Sequence, residues 1–579
     1  MFRYGMSRAW RDRESWNLHR KWDDVLTLQD SLGLGHVGRF LRTVRHLRAG
    51  QVVNRVTRRF TRLPALDGLP PKLRQAEGTW HNCVGRPVSM LAPKLFRFVG
   101  LDAELLTGAD WNRTGRAKLW LYNLHYFDDL RADGAAERAP WHRELIERWR
   151  ADNPPASGNG WEPYPLSLRI VNWIAWVLGG NTPTDSMLQS LAVQTRVLRT
   201  RLEYHLLGNH LLANAKALVF AGCFFSGSEA DDWLQMGLAL LDAELREQIL
   251  ADGAHFELSP MYHAIILEDV LDLIQLSQIF PAALAAKRQA WQVLAARMLG
   301  WLAAMTHTDG EVAFFNDAAA GIARAHADLS TYAARFGISS EHKEGPLRQL
   351  AASGYTRLQA GPFCAIFDAA EIGPSYLPGH GHADALAVEV SLDGRRLITN
   401  GGTSTYEPGQ LRDQERATAS HATVEIDGHS SSEVWASFRV GRRAHPFGVA
   451  CGAADDNVWA EASHDGYRWL PGKPVHQRRV KLSPSTVSIT DRITGEGAHA
   501  VVGRFPLHPT VSSVSPEPDG WRLELAKGRV VRVRVTGAQQ HFLADGYYAP
   551  AFGQRLARPV LQWRCDGPLP LNVEMRFEL

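Results

Sequence analysis

The sequence predicts an α+β multidomain protein, with an N-terminal (α/α) toroid followed by a C-terminal antiparallel β-sandwich. Three observations carry this expectation. Between about residues 115 and 345, apolar side chains recur at the helical period in the stretches 165–178, 206–225, 231–250, 259–279 and 284–305. After about Gly354 the period changes to two, as in 355–359, 363–368, 475–482 and 529–535. The turn pairs Asp393-Gly394, Asp427-Gly428 and Asp519-Gly520 punctuate those runs, and no strand–helix–strand series is evident.

Each part follows from local pattern. Arg39, Arg42, Arg45 and Arg48 recur at helical spacing beside Leu41, Val44 and Leu47, so an amphipathic basic helix is expected before the Pro-rich break at 63–72. Helices joined by short loops imply repeated hairpins that close into an arc or toroid rather than a small bundle. The expected boundaries are a basic helical extension over 1–78, the toroid over 79–348 and the sandwich over 349–579.

Composition narrows the function classes. A net charge of +3 is too mild to argue for nucleic acid, and 45% hydrophobic residues fit an ordinary globular chain. The 19 tryptophans suit a sugar-binding cleft, although core packing is their commoner fate. Five scattered cysteines without CxxC spacing read as reduced residues, not as a disulfide frame or zinc site. No apolar run is long enough for a membrane span. The first ten residues lack an apolar signal segment, so a cytoplasmic location is the expectation. Oligomeric state is not legible.

Several motifs carry chemistry. His380 and His382, in Gly379-His-Gly-His-Ala-Asp384, lie two residues apart at the mouth of an expected strand, which points both rings to one face. Asn209 and His210 open a helical stretch in Gly208-Asn-His-Leu-Leu-Ala-Asn214. Tyr262 falls in the first turn of a helix expected to begin near Pro260. Each residue alone has a structural reading, as a helix cap, a satisfied histidine or a core aromatic. Together they are the inventory for β-elimination at a uronic acid. That reaction removes the C5 proton, neutralises the adjacent carboxylate and protonates the leaving 4-oxygen. A phenolate can act as the base only if its neighbours lower its pKa.

With the segments Trp120–Asp128, Trp161–Arg169 and Ser420–Gly428, these motifs stand in an order that resembles the heparinase II/III-type polysaccharide lyases over roughly residues 115–480. The resemblance implies cleavage of an anionic, uronic-acid-containing polysaccharide such as a glycosaminoglycan, alginate or exopolysaccharide. It implies that Asn209 neutralises the carboxylate, that His210 and Tyr262 serve as base and acid in an order left open, and that His380 assists. It also implies a divalent metal, zinc or manganese with calcium as a further option, in a structural role. The ligands would be His382, Asn400 and His421. Asn400 stands where an acidic ligand is usual, which weakens the argument for zinc.

Arg412 and Arg416 suit carboxylate or sulfate groups bidentately, Tyr406 could approach the site, and Trp161, Tyr164 and Arg169 are candidates for the cleft lining. A uronate C5-epimerase shares the proton abstraction, and a non-catalytic polysaccharide-binding protein could use the same cleft. A glycosidase is less favoured, since Asp252 and Glu257 are the only carboxylates nearby in a motif.

Overall fold

The computed structural model describes residues 34–341 and 345–579, in two compact units, Met1–His46 and Leu47–Leu579. The described part of the first unit is the helix Leu34–Val44, which carries Arg39 and Arg42 of the expected basic face. Residues 1–33 of the expected basic extension lie outside the described residues.

The second unit begins with the helix Ala49–Thr57 and a three-stranded meander over 90–104. The hairpins of the toroid follow, built from helices 118–126, 139–152, 163–178, 185–200, 208–224, 228–248, 260–279 and 281–304. Proline stands at the first turn of the helices that start at 163, 260 and 281, where its missing N–H has no intrahelical partner to lose. Thr184 caps the helix Asp185–Thr200 by accepting from the Met187 N–H at 3.1 Å. Gly208–Phe224 is buried on nearly every side, as a central helix of such an arc must be.

The β half is antiparallel throughout its named sheets. Five strands run in the spatial order 395–398, 388–392, 363–368, 355–360, 347–350. Eight strands over 446–578 form the large sheet, and a four-stranded sheet joins 424–426, 498–506, 556–568 and 540–548. Phe363, Val388, Val424, Ile489, Phe505 and Met575 from these sheets share one core, the inner layer of the sandwich.

Two apolar contacts join the halves. Trp301, Met305 and Leu258 pack with Tyr355, Ile366 and Ala387, and Met261 and Phe314 pack with Tyr548 and Phe552. Both contacts flank the loop that contains Asp317. The cysteines are all free, in keeping with the absence of a disulfide frame. Among the described residues, no helix is long and apolar enough to cross a membrane.

Candidate active site

Three backbone turns of unusual conformation bring the chemistry together. Leu207, Leu258 and Asn316 adopt positive φ of 64°, 58° and 57°. Such residues cost about 1–2 kcal/mol each and persist where the surroundings over-determine them. Leu207 delivers Gly208 and the Asn209-His210 pair at a helix start. Leu258 precedes Ser259, whose hydroxyl accepts from the Tyr262 N–H at 3.2 Å and fixes the first turn of Pro260–Ile279. Asn316 presents Asp317.

Asp317 is the hub. Its carboxylate accepts from His380 Nδ1 at 2.9 Å, from His382 Nε2 at 2.9 Å, and from both terminal nitrogens of Arg412. Burial alone would raise its pKa, but Arg412 and the two histidines outweigh burial and hold the carboxyl well below its ordinary range. Its backbone N–H also donates to the His380 carbonyl at 3.0 Å. The two histidines therefore do converge, but not as neighbours on an extended strand. Residues 379–387 turn, and the strand begins only at Val388.

On the other side of His380 lies Asn209. Its Nδ2 donates to the two Glu257 carboxylate oxygens at 3.1 and 3.0 Å and stands 3.5 Å from His380 Nε2. The Asn209 backbone N–H donates to Glu257 as well, so this carboxylate covers the positive end of the helix Gly208–Phe224. With Nδ2 held there, Oδ1 is the Asn209 atom left for a ligand. Burial raises the Glu257 carboxyl, but His380, His255 and Asn209 bring it below the ordinary value.

Tyr262 lies against His380, with ring centroids 3.9 Å apart and planes tilted by 32°, and its hydroxyl is 3.1 Å from that of Tyr406. Burial lifts the Tyr262 phenol well above its ordinary range, and Tyr406, Tyr164 and Asp317 push in the same direction. His210, half-buried, pairs Nδ1 with Glu203 Oε1 at 3.2 Å and lies 4.3 Å from the Tyr164 ring. Burial lowers the His210 pKa, but the carboxylate of Glu203 more than offsets this and leaves it raised. Asn209, His210, Tyr262, Tyr164, Tyr406 and His380 thus gather where the two halves meet.

Four residues expected to line the substrate path are instead buried parts of the scaffold. Trp161 packs on Trp149 and donates its indole N–H to the Asn153 carbonyl at 3.3 Å. Arg169 is fully enclosed, bonding Gln194 and the carbonyls of His125 and Gly160 above the Trp149 ring. Arg416 donates to the Gly381 carbonyl, and Arg412 neutralises Asp317. Each guanidinium is held by internal partners, so none is presented to a ligand. Asp317 and Glu203 belong to no sequence motif, and Glu257 reads in the sequence as one of the structural options. No spacing marks these carboxylates, because turns and helix ends bring them in.

His382 and His421 face one another with ring centroids 5.2 Å apart. Nε2–H of His382 is directed at Asp317, and Nδ1–H of His421 at the Asn400 side-chain oxygen 3.2 Å away. That leaves His382 Nδ1 and His421 Nε2 buried without a partner. Burial holds the His382 pKa down at about 4 and that of His421 well below its ordinary value, so both rings are neutral, as metal ligands must be. The two bare nitrogens fit a divalent ion. Asn400 supports His421 from behind, and among the described residues no group of three His, Cys, Asp or Glu side chains converges as a full ligand set.

Comparison with known proteins agrees with this architecture. A stretch of 62 residues is 40% identical to the heparin-sulfate lyase of Pedobacter heparinus, covering 10% of this chain and 9% of that protein. A longer stretch of 146 residues is 28% identical to the heparin-sulfate lyase of Bacteroides thetaiotaomicron, covering 23% of this chain and 21% of that one. The aligned stretches are thus a small part of either relative. A crystal structure of heparinase III superposes with a TM-score of 0.67 over 80% of this chain and 78% of that one. At 17% identity this likeness concerns the fold, an α/α toroid followed by a β-sandwich. Residues 156–342 match the heparinase II/III N-terminus and residues 342–569 the heparinase II/III-like C-terminal family, and the chain therefore belongs to the heparinase II/III-like family.

Proposed function

We propose that the chain is a polysaccharide lyase that cleaves a uronic-acid-containing glycosaminoglycan by β-elimination, leaving a 4,5-unsaturated uronate end. The observation that carries this reading is the convergence of Asn209, His380 and the Tyr262–Tyr406 hydroxyl pair at the junction of the two halves. The heparin-sulfate lyase relatives favour a glycosaminoglycan substrate over alginate.

The roles follow from donor inventory and charge. Asn209 Oδ1 accepts a hydrogen bond from the uronic acid carboxyl in its protonated form, in which the C5–H is most acidic. His210 donates Nδ1–H to Glu203, so Nε2 is its free lone pair and takes the C5 proton. The electrons of the C5–H bond form the C4–C5 double bond as the C4–O bond breaks. Tyr262 is protonated at neutral pH, because its phenol is shifted upward, and it gives its proton to the leaving oxygen. Tyr406 keeps its hydroxyl 3.1 Å from that phenol. His380 holds the Asn209 amide and the Tyr262 ring in register.

A divalent ion would be held by His382 and His421 with Asn400 behind them, where it would fix the loop that carries His380. Metal content of the purified protein and its melting temperature with and without chelator test this assignment. Loss of one bound ion per chain in His421→Ala is the expected result. Equal metal content in parent and variant would remove it.

The lyase reading is tested by digesting a panel of uronate polymers while following ultraviolet absorbance. A rise that Tyr262→Phe abolishes is expected. Solvent isotope uptake at C5 without new absorbance would identify a C5-epimerase instead.

A further inference from the structure

The helix Ala49–Thr57 lies outside the residues matched by the family, yet it is fastened to the segments that feed the site. Arg48 pairs with Glu247 and lies 3.6 Å over the ring of Tyr376. Gln51 donates to the Tyr376 carbonyl at 3.4 Å, and Arg58 contacts His205. Tyr376 belongs to the loop that leads into Gly379-His380, and His205 to the turn that leads into Asn209-His210. A cavity of about 370 Å³ separates helix and turn, lined by Arg48, Gln51, Asn54, Thr57, Tyr204 and Leu207. Tyr204 is 41% exposed, an aromatic face available to a sugar ring.

Positive charge accumulates where Arg58 meets His205. Arg55 and Arg58, one turn apart on the helix and its extension, are exposed, and Arg201 is half-buried at the start of the turn. Among the described residues, no carboxylate stands within ion-pair distance of any of the three. Partial desolvation lowers the Arg55 pKa, and the nearby charges of Arg439 and Arg58 lower it further. Arg201 is lowered likewise, by desolvation and by Arg58. Arg439 comes from the hairpin 434–440, whose Phe438 packs 6.2 Å from His380. Arg58 lies against His205 of the turn that begins at Arg201, so Arg55, Arg58 and Arg201 gather without a carboxylate among them, a concentration of like charge that an incoming anion would relieve.

We propose that Arg55, Arg58 and Arg201, with Arg439 near them, form a subsite for a sulfo or carboxylate group on a sugar of the polysaccharide away from the bond that is cut. Arginine forks bind either anion bidentately, and Tyr204 supplies the apolar face beside them. The proposal rests on the polysaccharide-lyase reading and adds Arg55 and Arg58, which lie outside the family-matched residues. It also gives the helix Ala49–Thr57 a role in holding an extended chain in register with Asn209 and Tyr262.

The test uses the full chain carrying Tyr262→Phe, so that ligand is not consumed, and the triple variant Arg55→Ala/Arg58→Ala/Arg201→Ala on that background. Binding of a fluorescent heparan sulfate oligosaccharide is measured across a salt series, beside hyaluronan of the same length and a neutral dextran. The triple variant is expected to weaken heparan sulfate binding at least tenfold and to flatten its salt dependence. The matching Lys variants should recover most of the affinity. A loss confined to heparan sulfate assigns the subsite to sulfo groups, and a loss shared with hyaluronan assigns it to carboxylates. Unchanged affinity and salt slope, or an equal loss on dextran, would overturn the proposal. Failure of the lyase reading would show differently, as absence of unsaturated product from every polymer with the unmutated enzyme.

Discussion

The imidazole of His380 lies on the phenol ring of Tyr262, with centroids 3.9 Å apart and planes tilted by 32°. This contact ties a residue of the β half to the first helical turn of Pro260–Ile279, so the proposed acid depends on both domains. The phenol is positioned by its ring and by Tyr406, and in the proposed reaction only its proton is transferred.

Removing the Tyr262 hydroxyl alone should therefore separate chemistry from scaffold. Tyr262→Phe retains the stacked ring and the Ser259 cap while deleting the proton. A loss of general acid catalysis amounts to about 10²–10⁴-fold in kcat. Steady-state kinetics with a glycosaminoglycan, beside an unchanged circular dichroism spectrum and melting temperature, check this. A variant that kept parental kcat would exclude Tyr262 as the acid.

Asp317 invites a stability measurement. Its carboxylate is fully buried and joins Arg412, His380 and His382. Asp317→Asn leaves the Arg412 guanidinium buried without its counter-charge, and breaking a buried pair from one side costs about 3–5 kcal/mol. Chemical denaturation of parent and variant should show a loss of this size. A change below about 1 kcal/mol, the range of exposed ion pairs, would mean that water replaces the lost partner.

The helical and β halves were legible because their periods differ, and Pro260 marked the helix that presents Tyr262. The site was legible only in its motif residues. The His-x-His segment reads as a strand start because Ala385–Ser391 is apolar and alternating. Leu386 instead takes a positive φ of 60° and the Ala387 N–H closes on the Asp384 carbonyl. Arg169, Arg412 and Arg416 read as residues of the substrate path, since burial of a guanidinium depends on carbonyls and carboxylates distant in sequence. Asp317 and Glu203 have no neighbouring motif at all, because tertiary contacts alone assign their partners.

The pairing of His210 with Glu203 sets a pH dependence with a definite sign. The His210 pKa is raised in the folded protein, so the ring keeps its proton to higher pH than an ordinary histidine, whose pKa is about 6.5. The stability contributed by the pair is present below that ordinary value and is lost as pH rises through the folded one. As a base His210 must be neutral, so kcat/KM should rise with pH above about 6.5. Glu203→Gln removes the carboxylate, shifts this limb to lower pH, and lowers the plateau because the base is weaker. A pH–rate profile for parent and variant reads both effects. An acid limb that stayed in place would show that another group is the base.

Gly208 provides a steric test of the site. It has φ of 57° immediately before Asn209, and a Cβ added there would lie 2.3 Å from Glu257 Oε1 and 2.4 Å from Leu377 Cδ2. The left-handed backbone penalises any side chain by about 1–2 kcal/mol. The clash adds to that penalty, and it bears on the carboxylate that holds the Asn209 amide. Leu377 can rotate away, but Glu257 cannot move without releasing Asn209 Nδ2 and the Asn209 backbone N–H together. Gly208→Ala should thus lower stability by about 1–3 kcal/mol, a typical span for backbone strain at such sites. It should also reduce kcat/KM by more than the fraction unfolded explains, because Asn209 leaves its place beside His380. Thermal unfolding and kinetics well below the melting temperature separate the two effects. A variant with lowered stability but parental kcat/KM would show that Asn209 does not need Glu257 to be aligned for catalysis.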